Sequence, residues 1–185
     1  EIYRCDWSSD VCSSDLHDAS LDEAGYLRVI RSKTAKLFEA SARLGAILSG
    51  QDAVTEEACA TYGQALGTAF QVIDDVLDYD GNAAEMGKNL GDDLREGKAT
   101  LPLILAMQLG STEQAATVRS AIETGSVEWL RDIVQIVRET GALEATRQAA
   151  ATEARRAIDA AMKLPDNAYR QAMETLAAQL LDRRA

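Results

Sequence analysis

The chain has 185 residues, is 46% hydrophobic but only 5% aromatic, and carries a net charge of -11 at pH 7. That acidic balance argues against nucleic acid as a partner, and no apolar run approaches the ~20 residues of a membrane span. Three cysteines without metal-site spacing, Cys5, Cys12 and Cys59, are too few for a disulfide scaffold and point to a reducing, cytoplasmic setting.

Residues 1–16 do not resemble the rest: they hold two of the three cysteines, one of the two tryptophans and the repeated triplet SSD, with no helical or strand period. The string CSSDL also matches the translation of a common sequencing-adapter end. The stretch is therefore set apart as a non-native tail, and 17–185 is read as the protein proper. His17 lies at this junction and receives no role. From Leu21 to Ser49 the apolar positions Leu27, Ile30, Thr34, Leu37, Phe38, Leu44 and Leu48 recur at spacings near three and four, which predicts one long helix from about Ser20, closed by Gly50. Lys33 and Thr34 sit in its middle, where the residues alone suggest a solvated lysine beside a packing threonine. Thr55 opens the next helix, which runs to about Tyr79 and carries Gly63 and Gly67 at a spacing suited to close helix approach. A glycine-rich loop over 80–98 follows. Thr100 then caps a short apolar helix, Leu101–Leu109, and four more helices are expected at about Thr112–Thr124, Val127–Thr140, Leu143–Leu164 and Ala168–Arg183. Their arginines, Arg119, Arg131, Arg138, Arg147, Arg155 and Arg156, read as solvated partners of nearby glutamates. With two prolines in the chain and no strand alternation, the expected class is all-α.

Chemistry concentrates between Gly67 and Thr100. Asp74, Asp75 and Asp78 form a DDxxD cluster in an apolar run, and on a helix Asp74 and Asp78 share a face, with Gln71 one turn earlier. Three carboxylates within about one turn repel one another and lose solvation when partly buried. A divalent cation relieves both problems, and hard oxygen ligands of this number suit Mg²⁺. Lys88 and Lys98 flank a second acid pair, Asp92 and Asp93. Carboxylates for a metal and lysines for phosphate make a plausible diphosphate site, with simple solvation of both lysines as the alternative.

The run GTAFQVIDDVLDYD followed by GKNLGDDLREGKATLP resembles the second aspartate-rich region of trans-type polyprenyl diphosphate synthases, and is most similar to the long-chain, octaprenyl type. The resemblance extends over about Leu21 to Arg184. It implies an all-α isoprenoid synthase-type helical bundle, of which 17–185 would be the C-terminal part, with the N-terminal helices and the first aspartate-rich motif missing. It implies head-to-tail condensation of isopentenyl diphosphate onto an allylic diphosphate, giving a long-chain polyprenyl diphosphate of the kind used for quinone side chains. The resemblance assigns Lys33, Thr34, Gln71 and Asp74 to catalysis, Lys33, Lys88 and Lys98 to the substrate diphosphate, and Asp74, Asp75 and Asp78 to Mg²⁺. The full-length protein is expected to be a homodimer, and this polypeptide alone is expected to be inactive. A non-catalytic subunit of a heteromeric synthase and a class I terpene cyclase are the alternatives. The intact DDxxD weighs against the first and the GKNLGDD continuation against the second.

Overall fold

The computed structural model describes residues 16–80 and 91–183. Expectations placed on residues 1–15 and on Lys88 lie outside the described residues. Among the described residues the secondary structure is helical, apart from an isolated bridge between Leu16 and Lys98.

The predicted long helix over 21–49 is three pieces. Helix α1 is Glu23–Ile30, a π-helical turn covers Arg31–Ala35, and α2 is Lys36–Leu48. Asp22, not Ser20, caps α1, accepting from Gly25 N at 2.7 Å. Helix α3, Ala53–Asp80, begins two residues before the expected Thr55 because Asp52 accepts from Thr55 N at 2.8 Å. The expected loop contains a short helix, α4, at Asp92–Arg95. Helices α5 (Leu101–Leu109), α6 (Thr112–Thr124), α7 (Leu130–Glu139), α8 (Ala142–Ala161) and α9 (Ala168–Gln179) then follow, close to the predicted boundaries, and a 3₁₀ turn at Leu180–Asp182 follows α9. None of the described helices is long and apolar enough to cross a membrane.

Helix α3 is the axis of the fold: α8 and α2 pack along it and it is buried on most sides. Its junction with α2 depends on two glycines. A Cβ at Gly67 would lie 2.7 Å from the Cα of Ala35, and one at Gly63 would collide with the backbone of Phe38. Backbone therefore lies against backbone there, and the expected close approach is what the structure has. The main core lies on the other side of α3, where Val72, Val76 and Tyr79 meet Leu101, Leu103, Ile104, Ile122 and Val137. Each such side chain contributes roughly 1.5–3 kcal/mol through burial.

Two readings of the sequence need correction. The apolar stripe predicted for 21–49 does not all face inward: Leu37, Leu44 and Leu48 are exposed at 64%, 53% and 85%. With the π-turn in place, Phe38 of the predicted stripe does lie against α3, and Ala35, outside that stripe, joins it there. The arginines are also less uniform than expected. Arg147 pairs with Asp80 at the end of α3, and Arg156 reaches Gln64 as well as Glu153, so both tie α8 to α3.

Candidate active site

A cleft of about 260 Å³ opens between α1, the π-turn, α3 and the segment 93–100. Its polar lining is Tyr26, Lys33, Thr34, Gln71, Asp75, Asp93, Lys98 and Thr100. Residues from three separated stretches thus converge, each brought by a different local cause. Tyr26 and Ile30 are buried and carry α1 onto α3. The π-turn that follows presents Lys33 and Thr34. Single π-turns are rare and concentrate at functional sites.

Asp75 is the centre of this arrangement. It is 2% exposed, and both oxygens are engaged: Oδ2 accepts from the Tyr26 hydroxyl at 2.5 Å and Oδ1 from Gln71 Nε2 at 2.9 Å. Because a carboxylate only accepts, Gln71 must turn its amide nitrogen toward Asp75. Its Oε1 then accepts from the Thr34 hydroxyl at 3.1 Å. The Thr34 proton is thereby spent, and its lone pairs, with the Gln71 carbonyl, are left as the negative ends of the local dipoles. Burial pushes the Asp75 carboxyl up to about 7, and the nearby Asp93 and Asp74 charges add to it against the two hydrogen bonds. Burial, and then the Asp75 charge, also hold the Tyr26 phenol well above the usual range.

Gly91 N bonds the Asp78 carbonyl at 3.3 Å, and Asp93 N donates to Asp78 Oδ2 at 3.3 Å, which docks α4 onto the end of α3. Burial and the Asp93 charge raise the Asp78 carboxyl to about 6. Lys98 Nζ sits 2.9 Å from Asp93 Oδ1 and 2.8 Å from Glu96 Oε2. Burial works against its charge, but these two carboxylates outweigh it and hold the ammonium above the usual lysine range. The segment is fixed from outside as well. His17 N donates to Gly97 O at 2.7 Å, its Nδ1 bonds Ile122 O at 3.1 Å, and Gly97 at φ +70° has the imidazole against the face a Cβ would occupy. Leu16, set apart with the tail, and His17, given no role, therefore brace the lysine-bearing wall.

Of the expected site residues, the structure brings Lys33, Thr34, Gln71, Asp75 and Lys98 into one cleft. Asp74 and Asp78 do not line it. Both are partly buried on neighbouring flanks of α3, and Asp74 Oδ1 faces Arg183 Nη1 at 4.0 Å, beside the Arg183–Phe70 contact. Gln71 was placed on the Asp74–Asp78 face, but it pairs with Asp75. Tyr26 and the site role of Asp93 were missed. A tyrosine on the inward side of a helix, in a chain this poor in aromatics, was the available signal, since a buried hydroxyl needs a partner.

The family pattern of the polyprenyl synthetases matches residues 8–139. The chain belongs to the polyprenyl synthetase family. The match opens at residue 8, within the stretch that composition sets apart. Among curated polyprenyl synthetases, octaprenyl diphosphate synthase of Haemophilus influenzae is 46% identical over 170 residues, which is 91% of this chain and 52% of that one. Octaprenyl diphosphate synthase of Escherichia coli is 48% identical over 164 residues, 88% of this chain and 51% of that one. The chain thus spans about half the length of the curated relatives it matches. A crystal structure of polyprenyl synthase from Caulobacter crescentus, complexed with calcium and isoprenyl diphosphate, superposes with a TM-score of 0.86 at 42% identity, covering 92% of this chain and 53% of that one. The all-α isoprenoid synthase fold expected from the sequence is the fold of this chain.

Proposed function

We propose that the chain is the half of a long-chain prenyltransferase that holds and ionises the allylic diphosphate, so that isopentenyl diphosphate can add head-to-tail. The observation that carries this reading is the cleft itself: two lysines, a threonine–glutamine pair of oxygen dipoles and a buried acid on one apolar wall. Lys33 and Lys98 would donate charge-assisted hydrogen bonds to diphosphate oxygens, with Lys88, outside the described residues, as a third donor expected from the family resemblance. Thr34 and Gln71, with the orientation that Asp75 imposes, offer oxygen lone pairs toward an allylic cation without a free nucleophile.

The acidic residues fit Mg²⁺ of a particular kind. Among the described residues no three acidic, histidine or cysteine side chains converge to hold an ion alone. Mg²⁺ commonly binds through one or two carboxylates, keeps several waters and takes the rest of its shell from phosphate oxygens. Asp74 and Asp78 suit that role, whereas Asp75, with both oxygens engaged, suits holding Gln71 in place. The ion, when bound, supplies Lewis-acid stabilisation of the departing diphosphate. A homodimer and an octaprenyl product belong to this reading as expectations drawn from the family, and a cytoplasmic location as one drawn from the cysteine content.

The test joins this chain to the upstream half of the Escherichia coli relative and measures incorporation of labelled isopentenyl diphosphate across a Mg²⁺ titration, with products resolved by length. Asp74→Ala should cost about a hundred- to a thousandfold in rate, equivalent to ~3–4 kcal/mol. Full activity of that variant at limiting Mg²⁺ would remove Asp74 from the metal site. A hybrid that never extends an allylic diphosphate would remove the prenyltransferase reading.

A further inference from the structure

The back of the cleft is held by a side-chain network that reaches the C-terminal helices, whose arginines read in the sequence as solvated partners of nearby glutamates. Glu153, midway along α8, accepts from Arg31 Nη2 at 2.8 Å and from Arg156 Nη1 at 2.9 Å. Arg156 Nη2 donates to Gln64 Oε1 at 2.6 Å, and Gln64 Nε2 donates to Glu39 Oε2 at 3.2 Å. Glu39 Oε1 in turn accepts from Lys36 Nζ at 2.9 Å. Arg31 opens the π-turn and Lys36 directly follows it. One network spanning α2, α3 and α8 therefore grips both ends of the turn that presents Lys33 and Thr34.

A π-turn is held against reversion to ordinary helix only where its surroundings over-determine it. The contact beneath it is Gly67, whose missing side chain permits close approach but offers nothing to fix rotation. Rotation must then be set from the sides: Thr34 ties the turn to Gln71 of α3 within the cleft, and the Arg31–Glu153 bond ties its first residue to α8. Glu153 is shielded, at 13% side-chain exposure, so its bonds are screened less than those of a surface pair. Without its charge, two guanidinium groups would face each other with no anion between them.

We propose that Glu153 is a positioning residue for the cleft, acting through Arg31 to hold the π-turn in the register that points Lys33 and Thr34 inward. Its functional consequence rests on the reading of the cleft as a diphosphate site; its structural content does not.

The test uses the full chain carrying Glu153→Gln, Arg31→Gln or both, with Arg155→Gln on the exposed flank of α8 as control. Amide hydrogen exchange is followed by mass spectrometry, and the affinity for inorganic pyrophosphate with Mg²⁺ by calorimetry. Each single variant should speed exchange across 31–37 about tenfold or more, as loss of a charged hydrogen bond would, with α3 unchanged and the double variant no worse than either single. Pyrophosphate affinity should fall with it, and Arg155→Gln should change neither. Unchanged exchange at 31–37 in Glu153→Gln, or acceleration spread evenly over α3 and α8, would overturn the proposal. If exchange rises locally as expected but the unmutated protein binds no pyrophosphate, the positioning role stands and the diphosphate reading falls.

Discussion

Asp75→Asn separates the electrostatic cost of the cleft from its packing. The folded carboxyl titrates at about 7, against 3.8 for an ordinary aspartate. The folded state therefore binds this proton more tightly than the unfolded state, and protonation stabilises the fold. That stabilisation is complete below the unfolded value and is lost as the pH rises through about 7. Between pH 5.5 and 8 the metal-free protein should lose about 2 kcal/mol, which is about 1.5 pH units at 1.36 kcal/mol each. For a chain of this size the melting temperature should fall by roughly 4–8 °C. The substituted amide has the shape of the carboxyl and can still accept from Tyr26. Its nitrogen can donate to Gln71 Oε1 if the glutamine amide turns over, so no buried group is orphaned. The variant should thus be folded and nearly flat over the same pH range, apart from a smaller slope near pH 6 from the partly exposed Asp78. The assay is calorimetric melting in chelator at both pH values. A variant with the full wild-type slope would show that Asp75 is not the titrating group. The turned glutamine should also point the Thr34 proton toward the cleft, so the variant should be stable yet poor at stabilising a cation.

Tyr26→Phe removes a hydrogen bond to the charged form of Asp75, so it should destabilise the protein by roughly 1–3 kcal/mol at pH 8 and less at pH 5.5, with the transition in a pH–stability curve moved upward; an equal loss at both values would refute the link. Gly67→Ala should lower the melting temperature despite its gain in helix propensity, because overpacking against Ala35 costs about 1–3 kcal/mol; an unchanged or higher value would mean that the α2–α3 approach is softer than the backbone contact implies. Lys98→Ala should weaken pyrophosphate binding in the presence of Mg²⁺, measured by calorimetry, and the same affinity as wild type would remove Lys98 from the diphosphate site.

The fold was legible where one segment decides its own structure. The boundaries of α5 and α6 fall where the glycines put them, as do the breaks near Gly125, Gly141 and Pro165, although Thr100 makes no side-chain capping bond and the Ser111 capping box of α6 was missed. The small-residue spacing of Gly63 and Gly67 announced a close crossing. The site was legible in composition but not in geometry. Gln71 has two helical neighbours of equal standing, Asp74 at three residues and Asp75 at four, and periodicity alone cannot choose between them. The choice is made by Tyr26, which arrives from a helix 49 residues earlier in the chain. The π-turn was hidden for a related reason. Its sequence, RSKTA, carries no local signal for the extra width, and the gap at Gly67 that admits the turn and the Glu153 bond to Arg31 that holds it come from two other helices. His17 was passed over because it adjoins a stretch of foreign composition, although its backbone and ring both bond to the folded body.

The π-turn also makes length, more than residue type, the quantity under constraint in this segment. A turn closed by i→i+5 bonds holds one residue more than the α-helix it interrupts. Removing one residue between Arg31 and Ala35 would let α1 and α2 fuse into one regular helix with their faces still in register. Relaxing the π-turn to ordinary helix with all five residues kept would instead swing α1 by ~100° about the axis relative to α2. Tyr26 would leave Asp75, Ile30 would leave the core, and the wall of the cleft would turn outward, all without a single unfavourable side chain being introduced. In related chains a one-residue deletion in this segment should therefore occur only together with loss of the π-turn, and the full length only together with the π-turn.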